Sequence, residues 1–336
     1  MRRYTSTLRQ KGQALILVVL AMLAMLGMAA LAIDYAYLTV AKDQLRAAAD
    51  AAALAGATQF GSGDVIATCI EFAAKNEVAG DLLTLESDDV TLGLWDFDNA
   101  TLSQDGDPAL DNAVTVTAGR TNSSAAGPLS VFFASILGIT EAEVSVQATA
   151  AVDRRVTGIQ GNGGLWPFLL DADTLGGIGG GGLEPPIGST IDFYPDRGSA
   201  PGNFGMANLD GGSNGVPELV EWITYGYPDD VTIPADTGYL LVEGSPGFKN
   251  GTRSAVEARI GDTVVVLVYD QATGQGANSI FRVRSFCAIE ITDVRMTGQM
   301  AQRYIRGVVR DLQSSVVTTG SGGMINAGLG SVCLVQ

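Results

Sequence analysis

The pattern of apolar and polar positions begins with one unbroken apolar run of 20 residues, Ala14 to Ile33, which contains neither a charge nor a proline. A helix of that length spans roughly 30 Å, the thickness of the hydrocarbon part of a bilayer. Half of the run is Leu, Ile or Val, and these side chains favour insertion by roughly 3 to 6 kcal/mol in total. The run therefore predicts a transmembrane helix over residues 14–33, anchored by Ala14, Leu20, Leu26 and Ile33.

Charge gives this predicted helix an orientation. No acidic residue occurs before Asp34, whereas the stretch before the run carries four basic residues, Arg2, Arg3, Arg9 and Lys11. Positive charge marks the cytoplasmic side of membrane helices. We therefore predict a cytoplasmic basic tail over residues 1–13 and export of everything after Asp34, so that the C-terminus is periplasmic or otherwise extracytoplasmic.

A cleaved signal peptide is the alternative interpretation of the run. Ala30-Leu31-Ala32 fits a small-x-small cleavage pattern, but the apolar segment of a signal usually has only about 7 to 15 residues. Residues 34–60 also keep a helical spacing of apolar positions and contain no proline, whereas cleavage normally occurs in extended chain. The pattern therefore favours one helix that crosses the membrane and continues beyond it.

Small residues recur at helical spacing in the exported part of that helix. Ala48, Ala52 and Gly56 are four residues apart within the alanine-rich stretch 47–57. Small side chains let another backbone approach closely, although alanine is also the best helix former and needs no partner for that. Because an exposed helix would carry more charge, we expect this packing face to be buried against a sheet or another helix.

Beyond the long helix, the pattern predicts an α+β domain that completes residues 34–155. An amphipathic helix is expected from Asp64 to about Val78, and a short apolar helix at Pro128–Leu137. Period-two alternation predicts three strands, at Val90–Trp95, Ala113–Ala118 and Glu143–Val152. Helices followed by antiparallel strands give the α+β class, with the long helix packed on the sheet.

The remaining chain predicts a glycine-rich linker over residues 156–190 and a second, β-rich domain over residues 191–336. Gly176 to Gly182 is nearly all glycine, but no lysine follows as a phosphate-binding loop would require. A helix is expected at Pro217–Tyr225, with Leu219, Trp222 and Ile223 on its buried side. The expected strands of the β-rich domain are Ile191–Tyr194, Tyr239–Val242, Thr263–Tyr269, Ser279–Thr292, Tyr304–Val309 and Ser331–Val335.

Composition excludes several kinds of chemistry. The chain has 36 Asp and Glu against 20 Lys and Arg, of which four lie in the tail, so the exported part is acidic and disfavours nucleic acid. The absence of histidine excludes Ser/His/Asp and Cys/His catalysis and removes the commonest transition-metal ligand. Cys69, Cys287 and Cys333 are too far apart for a C-x-x-C pair and allow at most one disulfide. We expect no enzyme activity, no cofactor and no small-molecule substrate.

One acidic loop between predicted strands is the candidate for a metal site. Asp96, Asp98, Asp105 and Asp107 crowd this loop, and oxygen-rich loops can bind calcium. Their spacing does not match the D-x-[DN]-x-[DN]-G pattern, and a solvated hairpin loop has the same composition. We therefore expect no metal ion, with these four residues as the calcium candidates.

Three stretches near the N-terminus resemble the TadE/TadG-like proteins of tight-adherence (Flp-type) pilus assembly: Lys11–Leu15, Ala32–Tyr35 and Leu45–Ala57. The resemblance implies a single-pass inner-membrane protein whose exported domain takes part in pilus assembly or surface attachment without catalysis. Its partners would be the bilayer and other pilus-assembly proteins. The fifth residue after Gly12 is Leu17 rather than the glutamate of pilins, so the similarity is to an uncleaved anchor of the TadG type.

Two other functions stay open on the sequence alone. The distal domain could be a membrane-tethered hydrolase or carbohydrate-binding module, which a pocket with convergent carboxylates would support. The chain could also be an adhesin released from its anchor, which an intact N-terminus in membrane fractions would exclude. The sequence favours a non-enzymatic envelope component over both.

Overall fold

The computed structural model describes residues 7–61, 63–104, 110–175, 178–179, 182–183, 187–194, 203–212, 214–320, 324–325 and 328–335. Its first element, α1, is a single helix of 51 residues, Thr7–Ala57. No proline interrupts its backbone hydrogen bonds, and leucine and alanine favour the helical conformation. The prediction of one helix that continues beyond the apolar run is confirmed, and the helix also includes the end of the predicted basic tail.

The second helix, α2, is shorter than predicted. It spans Val65–Ala73. Asp64 is its N-cap residue, and the Asp64 side chain accepts a hydrogen bond from the Ala67 backbone nitrogen at 2.9 Å. The predicted extension to Val78 is wrong, because Glu77–Val78 and Asp81–Leu82 pair as a small antiparallel hairpin. Ala79 and Gly80 between them both have positive φ, at 54° and 93°, which is the backbone of a tight hairpin turn rather than of a helix.

A six-stranded sheet, called the proximal sheet below, packs against α1. Val114, Val116, Ala148 and Ala150 form a core together with the buried side of α1, since alternate residues of a strand point to the same face. All neighbouring strands are antiparallel except the first two, which are parallel. In spatial order the strands are Leu312–Gln313, Leu329–Leu334, Val144–Asp153, Ala113–Arg120, Val90–Asp96 and Thr101–Ser103.

The C-terminal strand corrects the predicted domain assignment. The sequence placed a strand at Ser331–Val335 in the β-rich domain, whereas Leu329–Leu334 pairs with Val144–Asp153 of the proximal sheet. Strand pairing depends on long-range register, which local alternation does not encode. The last strand of the chain therefore lies beside strands nearly two hundred residues earlier.

The predicted apolar helix at Pro128–Leu137 is also wrong. Leu129–Ser130 and Glu141–Ala142 pair as a hairpin, and only Ala134–Leu137 at its tip is helical, as one short 3-10 turn. Gly138 ends this turn in the left-handed region, at φ 85°, a conformation that glycine adopts without strain. The segment thus doubles back on itself within ten residues.

The distal region is built on a ring of strands, called the distal barrel below. Ile280–Val283 pairs on one side with Leu240–Glu243 and on the other with Tyr269–Thr273, and these pairings close the ring. One pair, between Leu165–Asp171 and Thr263–Thr273, is parallel. The ring order is Leu165–Asp171, Asn203–Asn208, Leu240–Pro246, Ile280–Arg295 and Thr263–Thr273, and Tyr304–Val309 and then Thr190–Tyr194 continue from Ile280–Arg295.

Apolar side chains fill the distal core. Trp166, Phe168 and Phe281 are each almost completely buried, and large aromatic side chains contribute much of the burial in such a small barrel. Helix α3, Val216–Tyr225, buries Leu219, Trp222 and Ile223, as predicted. The remaining helices are α4, Arg253–Glu257, and the 3-10 turns Ser87–Asp89, Ala172–Leu175, Asn250–Thr252, Gly276–Asn278 and Met300–Gln302.

The described part of the predicted linker at 156–190 forms several strands instead. Leu165–Leu170 is buried at every position, so it lacks the alternation that identifies a half-buried strand. Pro167, which has no N–H to donate, lies where the pairing register with Thr263–Thr273 shifts. Arg155–Ile159 pairs with Val231–Thr232, Val317–Thr319 and Met324–Ile325, and the described part of the glycine-rich stretch contains the paired strands Ile178–Gly179 and Gly182–Leu183.

A largely buried ion pair lies where the chain passes from the distal strands back into the proximal sheet. Arg154 follows the strand Val144–Asp153, and its two terminal nitrogens donate to the two carboxylate oxygens of Asp311 at 3.0 and 2.7 Å. The Asp311 side chain is only 2% exposed, and the Gln313 side chain also donates to it. Two parallel charge-assisted bonds fix geometry as well as contribute energy, so this contact sets how the two regions meet.

Candidate functional site: the junction of the apolar helix and the folded domain

The surroundings of helix α1 change at Asp34. Nearly every residue of 14–33 is exposed, including the predicted anchor residues Ala14, Leu20, Leu26 and Ile33. Within the described part of the chain, α1 is the one helix long and apolar enough to cross a membrane. An exposed apolar surface of that length is not stable in water, and it has the dimensions that a bilayer covers.

Asp34 is the first buried residue after this surface, and its carboxylate holds a distant loop. Only 3% of the residue is exposed. Its two oxygens accept backbone N–H bonds from Phe132 and Phe133 at 2.9 Å each and from Ala134 at 2.6 Å. These are free donors at the start of the 3-10 turn, so Asp34 caps a turn that lies about a hundred residues later in the chain.

An aromatic contact reinforces the same junction. The rings of Tyr37 and Phe132 meet edge to face with their centroids 5.3 Å apart. Tyr37 lies three residues after Asp34 and therefore on the same side of the helix. The loop is thus fixed to α1 by both polar and apolar contacts.

The predicted packing face of α1 lies against the proximal sheet and α2. Ala48 and Ala52 are completely buried, in the same core as Val116 and Ala148. A Cβ added to Gly56 would lie 2.2 Å from the Cys69 sulfur and 3.2 Å from the Val65 carbonyl oxygen. Any side chain at that position would force α1 and α2 apart, because real Cβ contacts are not that short.

Two family models match the chain across this junction. The TadE/G-like Flp pilus-assembly model matches residues 12–59, and the Tad-like Flp pilus-assembly model matches residues 38–150. Residues 12–150 of the chain belong to the TadE/TadG-like family. The function of the chain is therefore that of a Flp pilus-assembly component, and its partners are other components of that assembly.

The matches locate the family-specific part of this TadE/TadG-like protein. They begin just before the apolar run, include Asp34 and the loop it holds, and end before the distal barrel. Neither description indicates a hydrolase or a carbohydrate-binding module. No curated protein and no solved structure matches the chain significantly.

The two calcium candidates that the structure describes, Asp96 and Asp98, are bonded to other groups of the protein. Asp96 accepts hydrogen bonds from the Asn99 side chain and from the Asn99 and Asp98 backbone nitrogens, which together lower the pKa of Asp96. Asp98 pairs with Arg155 at 2.5 Å. Asp105 and Asp107 lie outside the described residues. Among the residues that are described, no group of three or more His, Cys, Asp or Glu is arranged to hold a metal ion.

The three cysteines of the chain are free thiols that form no disulfide. Cys69 and Cys287 are buried and Cys333 is half-buried. Burial raises the pKa of Cys69 to about 11 and that of Cys287 to about 12. Both are therefore protonated at neutral pH, and a protonated thiol is a poor nucleophile.

Convergent carboxylates in a pocket would support a hydrolase, and one open cleft in the described part of the distal region has acidic residues in its lining. Asp230 and Glu243 are among its lining residues. One oxygen of Asp230 accepts the Gly161 backbone N–H at 2.8 Å, so this carboxylate fixes a loop. The described lining of this cleft therefore does not favour catalysis over a structural role.

Sequence reasoning missed the role of Asp34 and of the loop it holds. In the sequence, Asp34 marks only the end of the apolar run, because its hydrogen-bond partners are backbone groups far away in the chain. One signal was present, however: the 20 residues between Arg120 and Glu141 contain no charge at all. In an acidic chain, such a stretch is unusual for a solvated loop.

Proposed function

We propose that the chain is a non-enzymatic component of Flp pilus assembly, anchored in the inner membrane by residues 14–33. Residues 1–13 would lie in the cytoplasm and the C-terminus in the periplasm. The observation that carries this proposal is the change along α1, from fully exposed to buried on one face, at Asp34. A single rigid helix thus links the apolar surface directly to the folded domain.

Charge supports the proposed orientation. Four basic residues, Arg2, Arg3, Arg9 and Lys11, precede the apolar run closely and no acidic residue does, whereas acidic residues outnumber basic ones after it. Basic residues close to a membrane helix resist translocation, whereas acidic residues contribute little. The short basic end therefore stays in the cytoplasm and the domain is exported.

The absence of histidine and the state of the thiols support a structural role. Cys69 and Cys287 are buried and protonated at neutral pH, and the described acids Asp96, Asp98 and Asp230 are engaged in turns or ion pairs. General acid–base and nucleophilic catalysis need groups that are free to react. The protein would act through contacts with the lipid bilayer and with other pilus-assembly proteins.

A reporter fusion at Gln336 tests the anchor and the orientation together. A reporter enzyme that works only outside the cytoplasm should be active and should remain in washed membranes. A matched variant carries Leu20→Arg and Leu23→Arg, and each substitution disfavours membrane insertion by about 3 to 4 kcal/mol. We expect this variant to lose the activity of the reporter enzyme. The same exchange at Leu241 and Ile260, exposed apolar residues of the distal region, should change nothing. Activity confined to a cytoplasmic reporter would overturn the proposal.

A further inference from the structure

The tip of the hairpin that Asp34 holds, residues 131–139, exposes a cluster of large apolar side chains and is called the apolar tip below. Ile136 is 82% exposed and Leu137 68%, and Phe132 and Ile139 are each more than half exposed. No charged residue occurs anywhere in 121–140, although 17% of the chain is charged. Contiguous exposed apolar side chains of this kind mark a surface that another apolar phase covers.

The position of the tip indicates which phase that is. Its backbone is bonded to Asp34, the residue directly after the apolar run, at the point where α1 stops being exposed. The strand Val144–Asp153 then carries the chain away from the tip, and the Arg154 that follows it lies near Gly61, just beyond the far end of α1. The tip therefore lies at the end of the domain that faces the membrane.

Most backbone N–H groups of the tip are hydrogen-bonded within the protein, as an environment poor in water requires. An unsatisfied backbone N–H in lipid costs several kcal/mol. Asp34 accepts three of these donors, and four others bond to carbonyl oxygens within the hairpin. The residues whose N–H groups have such an acceptor are Val131, Phe132, Phe133, Ala134, Ile136, Gly138 and Ile139.

We propose that the apolar tip inserts into the outer leaflet of the bilayer that α1 crosses, beside the point where the helix emerges. Lipid is the occupant because the tip continues the apolar surface of α1 at the same level and presents no charge to anionic headgroups. Aromatic and aliphatic side chains favour this interfacial region. The domain would then contact the membrane at two places, and Asp34 would set the spacing between them.

Depth-dependent quenching in vesicles tests this proposal, which rests on the anchoring of α1. The full chain, with Cys333→Ser, is given a single accessible thiol, since Cys69 and Cys287 are buried. A fluorophore is attached at Ile136→Cys, at Leu26→Cys in the apolar run or at Leu241→Cys on the distal region. Vesicles of phosphatidylcholine and phosphatidylglycerol are prepared with and without a lipid that carries a spin-label quencher.

Quenching at both Ile136 and Leu26, with none at Leu241, is the result expected. Quenching at Leu26 alone would overturn the insertion of the tip while leaving the anchor intact. If Ile136 is shielded from water without being quenched by the labelled lipid, a protein surface covers the tip, and the proposal is wrong. Absence of quenching at both sites would contradict the anchor itself. Because Ile136 is exposed, its substitution is not expected to disturb folding.

Discussion

The carboxylate of Asp34 accepts a hydrogen bond from the backbone nitrogen of Ala134 at 2.6 Å, across one hundred residues of sequence. Phe132 and Phe133 donate to the same carboxylate. The contact joins the helix that leaves the apolar run to the hairpin at the near end of the proximal sheet. The folded domain is thus fixed to α1 directly after the apolar run rather than attached through a flexible stalk.

Replacing Asp34 by Asn should loosen this junction. An amide has one acceptor oxygen where the carboxylate has two, and its NH₂ group would face N–H donors. We expect faster hydrogen exchange at the amides of Phe132, Phe133 and Ala134 and a lower melting temperature. Asp43→Asn is the matched control, because Asp43 lies on the same helix but is exposed. Equal exchange rates in the two variants would show that Asp34 does not hold the loop.

Replacing Ala52 by Leu should overpack the contact between α1 and the proximal sheet. Ala52 is completely buried, and extra methylenes in a well-packed core cost about 1 to 3 kcal/mol. Ala47→Leu is the control, because Ala47 lies on the exposed side of the same helix and the two residues differ little in helix propensity. Thermal unfolding of the two variants should therefore differ, and equal melting temperatures would exclude tight packing at Ala52.

The parts of the fold that follow from local pattern were predictable from the sequence. The apolar run, the spacing of Ala48 and Ala52, and the alternation at Ala113–Ala118 each depend on residues within one helix or strand. The strand Leu165–Asp171 was missed because it is buried on both faces and includes Pro167, so it shows no alternation. Burial on both faces reflects its place in the distal barrel, which no local window reveals.

The contacts that define the junction depend on residues far apart in the chain. Asp34 pairs with backbone groups, which have no side-chain signature. Arg154 pairs with Asp311, which precedes the short strand Leu312–Gln313 of the proximal sheet. Pairing over such distances is set by sheet register and by the closing of the barrel. The sequence therefore predicted helix α1 and the main strands beside it, but neither the hairpin that Asp34 holds nor the contacts that assemble the site.

Breaking the ion pair between Arg154 and Asp311 should destabilise the folded region that follows the apolar run. Asp311→Ala would leave the Arg154 charge half-buried without its partner, at a cost of about 3 kcal/mol, near the lower end for buried pairs because Arg154 is partly exposed. Glu257→Gln breaks an exposed pair with Arg253 and should cost about 0.5 kcal/mol or less. Chemical denaturation compares the two variants. Similar losses of unfolding free energy would mean that the buried pair is not structural.

Stability should fall in alkaline solution because of the buried thiols. Burial raises the pKa of Cys287 to about 12 in the folded protein. In the unfolded chain the thiol has its ordinary pKa of about 8.5. Above this ordinary pKa the unfolded chain releases the thiol proton, whereas the folded protein retains it. The free energy of unfolding is therefore unaffected by this thiol below the ordinary pKa and decreases as the pH rises toward the folded pKa.

The pH dependence of Cys287→Ala measures this contribution. The substitution removes one of the titrating thiols, so the melting temperature of the variant should decrease less steeply between about pH 8 and pH 11 than that of the wild type. The loss of the buried sulfur lowers the variant's stability at every pH, and only the slope is compared. Parallel curves for the two proteins would contradict the assignment.

The most direct test of a membrane-anchored pilus-assembly component is a count of surface pili by electron microscopy on cells from which the gene has been deleted. Deletion should abolish or sharply reduce Flp pili, and the wild-type chain supplied in trans should restore them. The chain with Leu20→Arg and Leu23→Arg, which disfavour membrane insertion, should fail to restore them. Deleted cells that carry as many pili as their parent would contradict the account.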